Sequence, residues 1–213
     1  MALVVGTNCG FVTTAPTADP NLGNAYGIDN NALAFKDTSP ATAGKIVEIG
    51  WWCFTATEES NFEGGIYSHN SGDDLPGDLL DGVSRTNAKG TTTGWKRATG
   101  LNIPISSNTI YWLGLQLDDT ATLTSIGADP AVGVKYSFKT SQTTLPSSWS
   151  QTYGGTKYNM AIYAVWEAGA PAGTNIQVNI SDGLNTFITE YFGCWILSGF
   201  FIFSIIEILK HIG

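Results

Sequence analysis

The chain has 213 residues, of which 43% are hydrophobic and only 13% are charged, and its formal net charge is −8. That apolar content is too high for a disordered chain. The ten Lys and Arg residues are scattered along the sequence, so the concentrated basic surface that nucleic-acid binding requires is absent, and nucleic acid is excluded as a partner.

The first quarter of the chain begins as loop and continues as strands. MALVVGTNCG has no basic region and is too short an apolar run for a secretory signal, which favours a protein made in the cytoplasm, such as a virion component. We expect a short strand at residues 2–5 and an edge strand near residues 32–36. The run KIVEIGWWCFTAT then predicts a strand whose core-facing side chains alternate along it: Val47, Ile49, Trp51 and Cys53.

Further strands are expected at short intervals after this one. They are predicted at residues 62–69, 83–86, 95–98, 134–139 and 158–167, and most clearly in TIYWLGLQLDD, where Tyr111, Leu113, Leu115 and Leu117 form one apolar face. Gly and Pro turns separate them, and no helical period is present. The pattern predicts an all-β fold, an antiparallel β-sandwich of jelly-roll type over residues 1–167. Residues 168–183 read as a linker with a short strand, and residues 184–213 as an apolar, helical C-terminal segment for anchoring or assembly.

Four aspartates crowd the turn-rich stretch NSGDDLPGDLLDG: Asp73, Asp74, Asp78 and Asp81. Hard oxygen ligands at such short spacing can bind calcium, which makes calcium the one candidate cofactor. The spacing does not match an EF-hand loop, so solvated turn residues are the simpler interpretation.

Aromatic residues are the other candidates for ligand contact, because sugar rings stack on exposed aromatic faces. Trp149 and Tyr153 lie in the long polar loop SQTTLPSSWSQTYGG and are the predicted glycan-binding residues. Folding of Trp149 back onto the protein is the competing interpretation. Trp51 and Trp112 are expected in the core on the strand pattern.

Little in the sequence indicates catalysis. There are two histidines, His69 and His211, and no Gly-x-Ser-x-Gly element. A glycosidase needs two carboxylates that face one cleft, and Glu48, Glu63 and Glu167 lie in or beside predicted strands, where solvation is their ordinary role. We therefore expect no enzymatic activity and no catalytic residues.

The three cysteines leave one disulfide open as an alternative. Cys194 lies in the apolar C-terminal segment, so only Cys9 and Cys53 can pair within the head. Cys53 falls in an apolar strand, where a buried free thiol is the simpler expectation.

The run YFGCWILSGFFIFSIIEIL at residues 191–209 contains one charge, Glu207, and its length is near the lower limit for a helix that spans a bilayer. Three interpretations remain open: a membrane span, a helix that packs against other copies of the chain, and a β segment. The residues that would make membrane or assembly contacts are Tyr191, Phe192, Trp195, Ile196, Leu197, Phe200, Phe201, Ile202, Phe203, Ile205 and Ile206.

The central strands follow one another in a recurring order: a strand ending in Tyr-Ser, a Pro-Gly loop leading to Leu-Leu, a Gly-Trp strand and a Thr-x-Tyr-Trp-Leu strand. The matching residues are Ile66, Tyr67, Pro76, Gly77, Leu79, Leu80, Gly94, Trp95, Tyr111, Trp112 and Leu113. This order resembles jelly-roll β-sandwich modules of phage and virion structural proteins and of bacterial surface proteins of the carbohydrate-binding type. The similarity covers residues 45–117 and extends more loosely to residue 166.

The resemblance implies a non-catalytic domain for adhesion, carbohydrate contact or virion structure. The first hypothesis is a virion-associated or cell-surface structural protein that forms homo-oligomers and contacts glycans through its loops. The alternative is a carbohydrate-binding module tethered to a membrane by its C-terminal segment. A glycan-active enzyme is the third and weakest hypothesis.

Overall fold

The structure is a computed structural model that describes residues 2–55, 58–118, 122–149 and 153–169. Within these residues every named element of secondary structure is a β-strand, and the strands form two sheets in a sandwich-like arrangement. The predicted all-β sandwich is thereby confirmed. The described part of the chain contains no helix long and apolar enough to cross a membrane. The predictions for the segment 184–213, and for the linker beyond residue 169, fall outside the described residues.

Thirteen strands are present in the described residues. In chain order they are β1 Gly10–Val12, β2 Asn24–Gly27, β3 Asn31–Thr38, β4 Ala43–Thr55, β5 Phe62–Asn70, β6 Leu75–Arg85, β7 Gly94–Pro104, β8 Ile110–Leu117, β9 Ser125–Pro130, β10 Tyr136–Thr140, β11 Tyr153–Gly155, β12 Tyr158–Met160 and β13 Ile162–Ala168.

The strands divide into a seven-stranded sheet I and a six-stranded sheet II. Sheet I has the order β1-β13-β4-β9-β12, with β7 also paired to β4 and β2 also paired to β9. Sheet II has the order β11-β10-β3-β8-β5-β6. Strand pairs are antiparallel, and the exception among the described strands is β1, which lies parallel to β13.

The main core lies between the sheets. Trp51 of β4 meets Phe62 of β5 edge to face, with ring centroids 5.9 Å apart. Gly64 of β5 lies so close to Ile49 that a β-carbon on the glycine would be 3.0 Å from the isoleucine Cγ2. Ile49 and Trp51 therefore face sheet II, and Cys53 is buried with them, as the alternation predicted. The prediction was wrong for Val47, which is half-buried outside the core, whereas its neighbour Ile46 is fully buried in it, because the pairing of β4 with β7 shifts register between Ile46 and Glu48.

Three local predictions were wrong. Residues 2–5, predicted as a strand, belong to no named strand and lead into a turn in which the Thr7 N–H donates to the Val4 carbonyl at 3.0 Å, and the first strand forms at Gly10–Val12. The predicted edge strand near residues 32–36 is β3, which lies between β10 and β8 in the middle of sheet II. Much of the stretch predicted as turn is β6, an edge strand whose exposure tolerates Gly, Pro and Asp.

Candidate functional site

A segment of the chain lies against the outer face of each sheet. Residues 141–149, here called strap II, cross the outer face of sheet II, and residues 13–23, here called strap I, contact the outer face of sheet I.

Trp149 lies at the end of strap II and is buried, with 6% of its surface exposed. Its indole N–H donates to the Ser137 hydroxyl at 2.9 Å, and its ring meets Tyr67 edge to face at 5.2 Å. These rings pack in a second apolar cluster on the outer face of sheet II, together with Ala32, Ala34, Trp112 and Leu145. Trp149 therefore packs onto the protein and presents no open ring face to a sugar.

The course of strap II is set by polar groups of sheet II. The Tyr67 hydroxyl donates to the Pro146 carbonyl at 2.9 Å, and a Glu63 carboxylate oxygen accepts the Leu145 N–H at 2.5 Å. Gly65 provides the space, because a β-carbon there would lie 2.7 Å from a Leu145 methyl group. These contacts give the strap one path across the sheet.

Tyr153, the other predicted glycan residue, begins β11 opposite Phe138 of β10. The structure describes its backbone and not its side chain, so its contact with glycans stays a prediction.

The four aspartates are not drawn to one point. Both Asp74 carboxylate oxygens accept hydrogen bonds from lysine ammonium groups, Oδ1 from Lys36 and Oδ2 from Lys135, the latter at 2.6 Å. Desolvation raises the pKa of Asp74, but the hydrogen bonds from Lys135 and Lys36 outweigh it and leave the pKa below its ordinary value of 3.8. Two ammonium groups at this carboxylate oppose the approach of a cation.

The remaining aspartates have local roles. Asp73 accepts a hydrogen bond from the Asn70 amide at 3.1 Å, and Asp81 accepts the N–H of Gly82 at 2.7 Å, while the Asp78 N–H donates to the Ser68 hydroxyl at 3.0 Å. Among the described residues no three His, Cys, Asp or Glu side chains form a group that could hold a metal ion. Asp73, Asp74, Asp78 and Asp81 therefore do not form a shared calcium site in this structure.

Cys9 and Cys53 are free thiols and both are buried. Burial is the main cause that raises both pKa values, that of Cys53 to about 11, so both groups are protonated thiols at neutral pH. The disulfide alternative is not adopted.

Of the carboxylates considered for glycoside chemistry, Glu63 lies on sheet II, whereas Glu48 and Glu167 both lie on sheet I. Glu63 is on sheet II under strap II, Glu48 is on the outer face of sheet I, and Glu167 pairs with Lys45 at 2.9 Å near the end of β13. Beside Glu167 lies an open cavity of about 490 Å³, lined by polar and small residues that include Asn102 and Gly169.

The outer face of sheet I carries an aromatic and charged cluster that the sequence did not indicate. Trp95 of β7 meets Trp52 of β4 and Tyr163 of β13 edge to face, each with ring centroids 5.3 Å apart. The Tyr163 ring lies over Gly50, where a β-carbon would be 2.4 Å from the ring. Residues from three adjacent strands are thus brought together in space, although they lie far apart in the sequence.

A carboxylate and a guanidinium complete this cluster. The Tyr163 hydroxyl donates to Glu48 at 2.5 Å, and the Arg97 Nε lies 3.8 Å from the same carboxylate oxygen. Desolvation, followed by the hydrogen bond and the charge of Glu48, raises the pKa of Tyr163, so the phenol stays protonated and keeps donating to the carboxylate.

Strap I contacts the cluster through its carbonyl groups. The indole N–H of Trp95 donates to the Ala18 carbonyl at 2.9 Å, and the Arg97 guanidinium donates to the Pro16 carbonyl at 2.6 Å. Trp95 remains half-buried and Arg97 exposed. We call Glu48, Trp52, Trp95, Arg97 and Tyr163 the sheet I cluster, and it is the candidate ligand-contact surface of the described residues.

No protein-family model, no curated protein and no solved structure matches this chain.

Proposed function

We propose that this protein is a non-enzymatic structural component of a virion or cell surface, in which a β-sandwich head is displayed and self-assembles with other copies of the chain. The observation that carries the proposal is that a segment of the chain is bound to the outer face of each sheet. Strap II packs Leu145 and Trp149 onto sheet II, and the two straps are bound to their sheets by hydrogen bonds at 2.6–2.9 Å. A close-packed core with a bound segment on each outer face makes a rigid body suited to display.

The strand order supports a jelly-roll assignment for the head. In sheet II the run β3-β8-β5-β6, and in sheet I the run β13-β4-β7, follow the order in which a jelly roll places its strands. Strands β9 to β12 are then an insertion before the last strand. The parallel strand β1 is a departure, since a jelly roll is antiparallel throughout.

The engaged carboxylates support a role without catalysis. Glu48, Glu63 and Glu167 each have a partner within the chain, and Glu63 lies on the opposite sheet from the other two. The C-terminal run at residues 191–209 supplies the attachment: its apolar side chains require burial, in a membrane or among copies of the chain.

The test is the state of the full-length protein without detergent, measured by light scattering and electron microscopy. Soluble, ordered oligomers or filaments are expected. Aggregation without detergent that added detergent resolves into monomers at all concentrations would refute self-assembly and leave the membrane-tethered form of the protein.

A carbohydrate-binding module is a second candidate, favoured by the sheet I cluster. Trp95 offers an amphipathic ring beside a guanidinium and a carboxylate, groups that bind apolar sugar faces and sugar hydroxyls respectively. A glycan array on the full-length protein tests it, with Trp95→Phe as the ligand-site variant. No binding to any glycan, or binding unchanged in the variant, would refute a glycan site at Trp95.

A further inference from the structure

The segment at residues 2–12, here called the arm, is bound by the sandwich much as a separate peptide would be. It buries the side chains of Leu3, Cys9, Phe11 and Val12, each less than 5% exposed. Its strand β1 extends sheet I beside β13 in the parallel direction, and Phe11 meets Tyr111 of β8 edge to face at 6.2 Å. The arm therefore closes one edge of sheet I and part of the core at once.

Side chains of distant strands bind the backbone of the arm. The Leu3 N–H donates to Asp129 at 2.9 Å, and the Leu3 carbonyl accepts from the Asn159 amide at 3.0 Å. The Phe11 N–H donates to Asp37 at 2.8 Å. The preceding residue, Gly10, has φ +70° and leaves no room for a side chain, because a β-carbon would lie 2.2 Å from an Asp37 carboxylate oxygen. These contacts specify one binding mode for the arm.

The arm also has an internal structure of its own. The Asn8 side chain accepts the Val4 N–H at 2.7 Å and donates to the Ala2 carbonyl at 3.1 Å, while the Gly6 N–H donates to the Cys9 carbonyl at 2.9 Å. Because these bonds join arm residues to one another, they are kept when the whole arm moves from one binding site to another identical one.

Strap I is the tether between the arm and the rest of the chain. It has eleven residues, numbered 13–23, which include Pro16 and Pro20. A tether of that length can span at most roughly 36 Å, which is enough to reach a neighbouring molecule. Thr13 and Thr14, which directly follow the arm, are exposed, and so are residues 17–19.

We infer that the arm is exchanged between copies of this chain, so that the arm of one molecule occupies the arm site of the next. Exchange preserves every arm contact and changes only the path of strap I, which is why it is a low-cost route to oligomers. The inference rests on the proposed self-assembly and names its interface: the parallel edge of β13 with Asp37, Asp129 and Asn159. A chain of donors and acceptors gives a filament, and a reciprocal pair gives a dimer.

Crosslinking between two differently tagged full-length chains tests the exchange. One chain carries Val12→Cys and the other Val165→Cys, positions that are Cα partners of β1 and β13, and each substitution is close in size to the valine it replaces. After coexpression and mild oxidation, we expect a disulfide-linked species that carries both tags on a non-reducing denaturing gel.

Two controls make the outcome decisive. A chain with native Val12, mixed with the Val165→Cys chain, measures background crosslinking through Cys9, Cys53 and Cys194. A single chain with both substitutions reports that the arm is seated, because it crosslinks whether the arm is exchanged or not. If light scattering shows oligomers but every crosslink lies within one chain, arm exchange is overturned and the proposed function stands. If it shows monomers and every crosslink lies within one chain, both are overturned.

Discussion

Replacement of Trp149 by alanine should destabilise the protein severely, because the ring is part of the sandwich and not of its binding surface. The side chain is 6% exposed, packs against Tyr67 and donates its N–H to Ser137. A glycan platform on an exposed loop would tolerate the same substitution with little change in stability.

The size of the effect follows from burial. Truncation of a buried tryptophan to alanine removes its apolar contacts and leaves a cavity, which together cost about 3–5 kcal/mol. Trp149→Phe keeps a ring against Tyr67 and loses the hydrogen bond to Ser137, so its cost should be about 1–2 kcal/mol. Val132, which is 100% exposed, provides the matched control: Val132→Ala should change the free energy of unfolding by less than about 0.5 kcal/mol.

The measurement is equilibrium urea unfolding of the full-length variants in one buffer, followed by far-ultraviolet circular dichroism. A fall in the midpoint at constant slope reports lost stability. If Trp149→Ala and Val132→Ala shifted the midpoint equally, the burial of Trp149 would be refuted, and the ring would return as a candidate for sugar stacking.

Three further predictions concern other parts of the described structure. Asp74→Asn should lower the free energy of unfolding by on the order of 1 kcal/mol or less, because the lysine pairs of Asp74 are partly exposed. Since folding lowers the pKa of Asp74, this loss should be constant above pH 5 and vanish as the pH falls below about 4. A loss that persists at acid pH would contradict its origin in the ion pairs. Tyr163→Phe removes the hydroxyl that donates to the poorly exposed Glu48 carboxylate, so the free energy of unfolding should fall by about 1–3 kcal/mol, measured as a lower thermal unfolding midpoint. An unchanged midpoint would mean that water replaces the phenol. Cys9 and Cys53 should resist iodoacetamide at pH 8 in the folded protein and react fully in urea, as followed by peptide mass mapping; rapid labelling of the folded protein would show that the thiols are accessible.

The inner half of the sandwich could be predicted from local patterns. Alternation in β4 placed Ile49, Trp51 and Cys53 in the core, and alternation in β8 placed Leu113 and its apolar neighbours there. The period of two is a property of each strand by itself, so it can be read without knowledge of the partner strand. The pattern predicted the wrong position for β3 in its sheet, because short side chains on its outer face are typical of a weak edge strand.

The candidate site could not be found in the same way. Its residues come from β4, β7 and β13, and Glu48 and Tyr163 are 115 positions apart in the sequence. Only strand order and register bring them together: Gly50 pairs with Arg97 on one side and with Tyr163 on the other. Nothing local to any of these strands encodes that juxtaposition.

The sequence by itself determined that the head is a sparsely charged β protein with an inner apolar face, and that residues 191–209 require burial. The tertiary structure decided which outer surfaces are covered and what remains for ligands or partners. Strap II covers sheet II through contacts such as Tyr67 to Pro146, 79 residues apart, and the arm is bound by Asp129 and Asn159. The physical reason is that a distant segment can bury an outer face only if the backbone groups of that segment find hydrogen-bond partners there. Whether they do is a property of the folded chain as a whole.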